Sequence, residues 1–505
     1  MKRKPLKFVT LLSASFIATS CSLFQTKYFD WMVSTNNNTE IHYCLLIGQN
    51  EHSDSIERTR YTREALGTRN PESEINGNAN LGTPKIGHIT LGNGATKKDF
   101  KVTELEHMEQ KSLAGVTWDS ITANGTASTW ISKHGRNITM FISNNDGMAE
   151  GALFASNWIQ NLPLFGYDAN TSTLRLITKG KIMGTVDQNA SCQTAAAYLM
   201  IRNIIEDEHT GHHNIGERSY NPLNRGFNGE AGEHATGGVY IDGFTPFNKT
   251  PIAKEGITNP FYDEEKHDDP RFIHNMDFDQ GGAHQILSMS IAIDETNVTS
   301  FVDPKTGDVK TPHDLAWDNG TNNAFIHKPE GYQPPEDKIK VCHVYNNAAE
   351  VYLQGTMHDY YTEYDDELGL EVTKIDGDGV DEQKIFSQLE GACAGTRFDA
   401  FLINMVTTTD GPTFVDNIAK YACMNERGKA PDKGGWEKWE DRLNTPLIFW
   451  NKQPQTVKGQ VDVDTMNNKY FKYTYFVGVD APYGGQEQGK MIVNYLERQY
   501  EESLK

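Results

Sequence analysis

The stretch IHYCLLIGQNEHSDSIERTRY, residues 41–61, decides how the rest of the chain is read. Ile41 to Ile47 is a short, largely apolar run closed by Gly48, which reads as a strand. Ser55 to Leu66 carries the charge pattern of a surface helix. The same pairing recurs. Strands are expected at Ile138–Ile142, Leu162–Tyr167 and Met183–Val186, with helices at Gly147–Gln160, Ser172–Lys179 and Gln193–Ile205. After a gap it resumes with strands Ile339–Tyr345, Glu371–Ile375, Phe398–Val406, Pro446–Trp450 and Tyr475–Asp480. The helices between and after them are Val351–Asp365, Glu382–Glu390, Thr413–Met424 and Gln486–Gln499. Alternation of this kind predicts an α/β fold of two doubly wound, Rossmann-like lobes with parallel sheets.

At 505 residues the chain has room for more than one core. Its formal net charge of −21 would repel phosphate backbones, so nucleic acid is not an expected partner. Residues 206–285 are rich in Gly, Asn, Pro, His and Asp and form a large insertion, and 303–337 read as a linker. At the front, Lys2, Arg3, Lys4 and Lys7 precede the apolar run Phe8–Ile17 and then Ala18-Thr19-Ser20-Cys21. That is a secretory signal, too short to span a bilayer. It resembles a bacterial lipoprotein signal, with Cys21 as the lipidated residue; the alternative is an ordinary signal peptide with a chance cysteine. The other five cysteines lack metal-ligand spacing and read as small buried hydrophobes.

The chemistry-bearing residues gather where strands end. His52, Asp54 and Arg58 follow the first strand, at the sheet edge where such folds place ligands. An imidazole, an acceptor and a forked donor together suit neutral polyols, although a solvated helix start would show the same spacing. Asn145, Asp168, Gln188, Asn451 and Lys452 also sit at strand ends. Trp118 reads either as a platform for the apolar face of a ring or as a core side chain. No nucleophile–base pair is evident, so no catalytic residue is assigned and a recognition cleft is expected. His209, His212 and His213 would carry the competing metal-enzyme reading, without the spacing of known zinc motifs. Asp376-Gly-Asp378-Gly-Val-Asp381 resembles calcium-loop text but lacks its third ligand and closing Glu, so a helix cap is expected.

IGQNEHSDSIERTRY, ITMFISNNDGMAEGAL, LPLFGYDANTSTLRLITKGKIMGTVDQ, LIFWNKQP and YFVGVDAPYGGQEQGKMI resemble segments of the periplasmic galactose/glucose-binding proteins. That family has the periplasmic-binding-protein type I fold, and its members are the substrate-binding components of sugar ABC importers. The resemblance implies a sugar-binding lobe A of 34–186, completed by 286–302 and 480–505, and a lobe B of 187–205 and 338–479. It also implies a circular permutation, because the segments resembling the family's first half stand last here. Hydroxyl-binding roles fall on His52, Asp54, Arg58, Asn145, Asp168, Asn451 and Lys452, ring stacking on Trp118, and an amide role on Gln188. The aspartate and stacking phenylalanine that follow the strand ending at Tyr345 are absent from Asn346-Asn-Ala-Ala-Glu-Val351. The family's calcium loop would fall on Ser34–His42, where only Glu40 is acidic, with Thr139 in place of its distant glutamate. No cofactor or metal is therefore expected.

These readings imply a lipid-anchored, extracytoplasmic protein at the cell membrane. It would bind a galactose- or glucose-like monosaccharide and hand it to an ABC transporter permease. The alternative is a surface lipoprotein on a decayed sugar-binding scaffold, serving adhesion or antigenic display.

Overall fold

The computed structural model describes residues 40–74, 81–156, 162–210, 285–309 and 336–505, apart from 289, 348, 349, 351, 433, 437 and 458, together with the pieces 317–318 and 322–323. The signal with Cys21, His212, His213, most of the insertion and most of the linker lie outside the described residues, as does the side chain of His209.

The first lobe is built on β1 (Glu40–Ile47), α1 (Ser53–Ala65), the hairpin β2 (Gly87–Leu91) and β3 (Lys98–Glu109), and α2 (Ser120–His134). It continues through β4 (Met140–Ser143), α3 (Asp146–Ser156), β5 (Leu164–Phe165), α4 (Thr171–Ile177) and β6 (Gly184–Asp187). After α5 (Ala190–Thr210) come β7 (Gln285–Ser288), β8 (Ile291–Asp294) and a two-residue pair, β9 (Trp317–Asp318) and β10 (Asn322–Asn323). The second lobe follows with β11 (Ile339–Tyr345), a π-helical turn (Tyr352–Met357), α6 (His358–Glu367), β12 (Leu370–Asp376), α7 (Glu382–Gly395) and β13 (Ala400–Ile403). It ends with α8 (Gly411–Arg427), β14 (Leu447–Trp450), the short α9 (Val463–Met466) and β15 (Thr474–Val479), before α10 (Ala481–Ser503).

The first sheet runs β2-β3-β1-β4-β5-β6-β8, parallel except at its two edge pairs, and the second runs β12-β11-β13-β14-β15-β7, parallel throughout. Alternate residues of β1 go to opposite cores. Ile41, Tyr43, Leu45 and Ile47 pack with α10 on one face, and Cys44 and Leu46 pack with α2 and α3 on the other. Helices therefore cover both faces, which is what keeps a parallel strand apolar on both sides. In each lobe the central order reverses beside the first strand, between β1 and β4 and between β11 and β13. Ligands of open α/β sheets bind outside the carboxyl ends of the strands at that reversal.

Three short crossings join the lobes: β6 to α5, β7 to β8, and β15 to α10. Ser288 ties them together. Its Oγ donates to the carbonyls of Gln188 and Gly478 at 2.9 and 3.3 Å, and its own carbonyl accepts from Asp480 N. The sequence reading put 286–302 wholly in the first lobe. Instead β7 pairs with β15 in the second sheet, and only β8 reaches the first, where it is antiparallel to β6. Among the elements that went unread are the β2–β3 hairpin and α2. The helix expected over Val351–Asp365 is a π-turn followed by α6.

Candidate functional site

A cleft of about 510 Å³ lies between the lobes, and all nine candidate binding residues line it. From the first lobe come His52, Asp54, Arg58, Trp118, Asn145 and Asp168. Gln188 stands at a crossing, and Asn451 and Lys452 enter from the second lobe.

Local capping sets several of these side chains. His52 is the N-cap of α1, with Nδ1 accepting from Asp54 N at 3.1 Å. That bond leaves the ring proton on Nε2, as a donor. Burial, then Lys452 and Arg58, hold the imidazole well below its usual pKa, so it stays neutral. Asn145 accepts from Met148 N through Oδ1 at 2.8 Å, which caps α3. Capping and cleft lining are thus compatible at this residue.

Arg58 is the centre of the first-lobe wall. Its Nη2 donates to Asp54 Oδ2 at 2.6 Å, its Nη1 donates to Asn144 O at 2.7 Å, and Nη1 lies 3.8 Å from Asp168 Oδ1. The guanidinium sits over the Tyr167 ring, 3.5 Å from its centroid, and 5.7 Å from that of Trp118. Burial opposes its charge, but Asp54, Tyr167 and Asp168 outweigh that and raise its pKa. Burial likewise pushes the Asp54 and Asp168 carboxyls up, against the pull of Arg58. Gln188 Nε2 donates to Asp168 Oδ1.

Trp118 is partly exposed on the cleft wall, with its other side packed against the core of the first lobe. Its indole lies flat against Gly48, where an added Cβ would come within 2.2 Å of the ring. Only glycine fits there. His52 meets the same ring edge-on at 5.6 Å. Backbone strain is concentrated here: of the five non-glycine residues with positive φ among the described residues, Trp118, Asp168 and Asn451 line the cleft, and Ala169 and Asn189 adjoin lining residues. Strained backbone of this kind persists where surrounding structure holds it, commonly at ligand clamps.

Lys452 spans the lobes. Its Nζ donates to Gln49 Oε1 of the first lobe at 2.9 Å and to Val406 O of the second at 2.8 Å. Burial lowers its pKa to about 8. Gln49 was not anticipated, because nothing local marks it. On the opposite lip Gly115 closes on Val380, which an added Cβ would meet at 3.1 Å. The lobes therefore touch at two places away from the crossings.

The segment after β11 also lines the cleft, through Asn346, Asn347, Glu350, Tyr352 and Leu353. Gly377 N and Gly379 N donate to the carbonyls of Tyr345 and Asn346 at 2.7 Å each, which pins this segment to the loop after β12. In that loop Asp378 accepts from Val380 N and Asp381 N, and Asp381 caps α7. The calcium-like text is a helix-capping turn. Glu40 is engaged by Lys101 at 2.9 Å and His42 at 3.1 Å. Among the described residues, no group of three or more His, Cys, Asp or Glu is placed to hold a metal. No described helix is long and apolar enough to cross a membrane.

Residues 29–209 match the family model of the periplasmic binding protein domain. Over 173 residues the chain is 29% identical to the D-galactose/methyl-galactoside binding periplasmic protein MglB of Haemophilus influenzae, covering 34% of this chain and 42% of that one. The chain thus spans about two-fifths of the length of this curated relative. Among solved structures, a Caulobacter myo-inositol binding protein is 19% identical, with 33% of this chain and 45% of that chain covered and a TM-score of 0.21. A periplasmic ribose ABC transporter protein from Conexibacter woesei is 16% identical, with 17% and 28% covered and a TM-score of 0.15. Overlaps this partial add nothing to the strand order already described. The matched model is that of a binding domain. By this match, residues 29–209 are similar to the periplasmic binding protein domain.

Proposed function

We propose that this protein captures a neutral monosaccharide of the galactose or glucose kind outside the cytoplasm and delivers it to the permease of an ABC importer. In this reading the chain is tethered through a lipid on Cys21, and its nine cleft residues contact the sugar. One observation carries it: donors and acceptors from both lobes face a single cleft. His52 Nε2 and the Asn145 amide offer protons, while Asp54 and Asp168 accept them. Cationic Arg58 and Lys452 stand against acidic Asp54, Asp168 and Glu350, a balance that suits an uncharged ligand and disfavours an anion. The galactoside specificity named for the Haemophilus influenzae relative points the same way.

The order of the halves is read as a circular permutation. In support, α10 runs parallel to α1, with Gly485 against Glu57 and Gly489 against Tyr61 and Ala65. It therefore ends at the sheet edge where β1 begins, the place from which an unpermuted chain would continue. Permutation leaves cleft geometry intact when the same lobes assemble.

Calorimetry with galactose, glucose, ribose and xylose tests the function. A sugar that binds should lose about 1.5–3 kcal/mol of binding energy with either Asp54→Ala or Arg58→Ala, the cost of a charge-assisted hydrogen bond. Absence of heat with every sugar refutes the transport reading and leaves the surface-lipoprotein alternative.

A further inference from the structure

Tyr352 opens the π-helical turn at the second-lobe side of the cleft. It is 3% exposed, yet its hydroxyl is a buried polar atom with no hydrogen-bond partner among the described residues. A buried phenol normally finds one. The ring packs at the edge of the second-lobe core, and the backbone beneath it is anchored. Glu350 accepts from Tyr352 N at 3.1 Å and from Leu353 N at 3.0 Å, one backbone donor to each carboxylate oxygen. π-Turns inside helices occur mainly at functional sites. The hydroxyl feels the charges of Asp168, Asp187 and Arg58 from across the lobes as well as that of Glu350. Two more atoms without a partner among the described residues belong to residues lining the cleft and are acceptors, Gln188 Oε1 and Asn346 Oδ1.

We infer that Tyr352 is the ligand-contacting and specificity-determining residue of the second lobe, its ring covering one face of the ligand and its hydroxyl donating to a ligand hydroxyl. This rests on the sugar-binding reading and adds the ligand's chemistry at this wall. A hydroxyl both accepts and donates, so it can take the Tyr352 proton and give its own to Gln188 Oε1 or Asn346 Oδ1. An ammonium has no lone pair to take the Tyr352 proton, and a carboxylate has no proton to give to Gln188 Oε1 or Asn346 Oδ1. The ligand class is a neutral ring polyol with a hydroxyl turned toward lobe two. An analogue lacking that hydroxyl leaves buried polar atoms unpaired and is rejected.

The test is calorimetry on the full chain and on Tyr352→Phe and Tyr352→Ala, with galactose, glucose, ribose and xylose, after thermal melts establish that each variant is folded. Tyr352→Ala should weaken binding by tenfold or more, on the order expected for a lost ring face and hydrogen bond. Tyr352→Phe keeps the ring, so it should weaken the preferred sugar several-fold and compress the ratio of dissociation constants between the best and next-best sugar. A merely structural tyrosine would move the melting temperature and leave that ratio alone. If the unsubstituted protein binds and Tyr352→Phe keeps both affinity and ratio, the assignment to Tyr352 is overturned. If the unsubstituted protein binds no sugar, the sugar-binding reading is overturned, and this one with it. Should Tyr352→Ala not fold, Tyr352→Phe carries the decision.

Discussion

Asp187 shows how a single buried group couples the hinge to pH. It ends β6 just before a crossing, accepts from Asn189 N through Oδ1 at 2.8 Å, and leaves Oδ2 without a partner among the described residues. Burial raises its pKa to about 7. An unfolded aspartate titrates near 3.9, so between roughly pH 4 and 7 the native state holds a proton that the unfolded state has lost. Stability from this group is therefore full at low pH and falls as pH rises toward 7. Asp187→Asn keeps the accepting oxygen and removes the charge. Thermal melts should show it modestly stabilising at pH 5 and more strongly stabilising at pH 8; equal effects at both values would show that Asp187 does not titrate in this range.

At the scale of elements, α1 is locked to β3 by an ion pair inside the first lobe. Arg63 donates from Nε and Nη2 to the two oxygens of Glu104 at 2.8 and 2.6 Å, and Tyr43 Oη adds a third donor at 2.6 Å. Burial alone would raise the Glu104 pKa, but Arg63, His107 and Tyr43 bring it down to about 2. Its contribution is present above the unfolded value and disappears as pH falls toward 2. Arg63→Met strands the carboxylate and should cost about 3–5 kcal/mol in urea unfolding, while adding Glu104→Leu should recover most of that. A single variant as stable as the parent would show that the pair does not hold α1 to the sheet. The same residue explains why β3 escaped the sequence reading. Phe100 and Val102 face the core, and Glu104 continues their alternation with a charge where a hydrophobe would announce a strand. In α2, the text SITANGTASTWISKH is rich in Thr, Ser and Gly, weak helix formers, and its helix rests on burying Ala123, Ala127, Trp130 and Ile131 and on the Asp119 cap. By contrast β1, β11 and β14 were legible because their apolar runs lie in fully covered parallel sheets.

At the scale of the whole molecule, Gln49 and Lys452 form a latch between the lobes, at a distance from the three short crossings that join them among the described residues. Removing its acceptor with Gln49→Ala should shift the population toward open forms. Small-angle scattering of the ligand-free protein should then give a larger radius of gyration than the parent; an unchanged radius would show that the latch does not hold the lobes. His52, Asp54 and Arg58 could be found from sequence because one strand end and one helix cap place all three. Gln49 and Tyr352 could not, because each acquires its neighbours only when the lobes meet. The placement of α10 has a further consequence for biogenesis. Met491, Ile492, Tyr495, Leu496 and Tyr500 complete a core whose strands begin at residue 40. During synthesis the first lobe must therefore wait, with one sheet face bare, until nearly the entire polypeptide has emerged. A chain so delayed would stay unfolded over the interval that the proposed export requires.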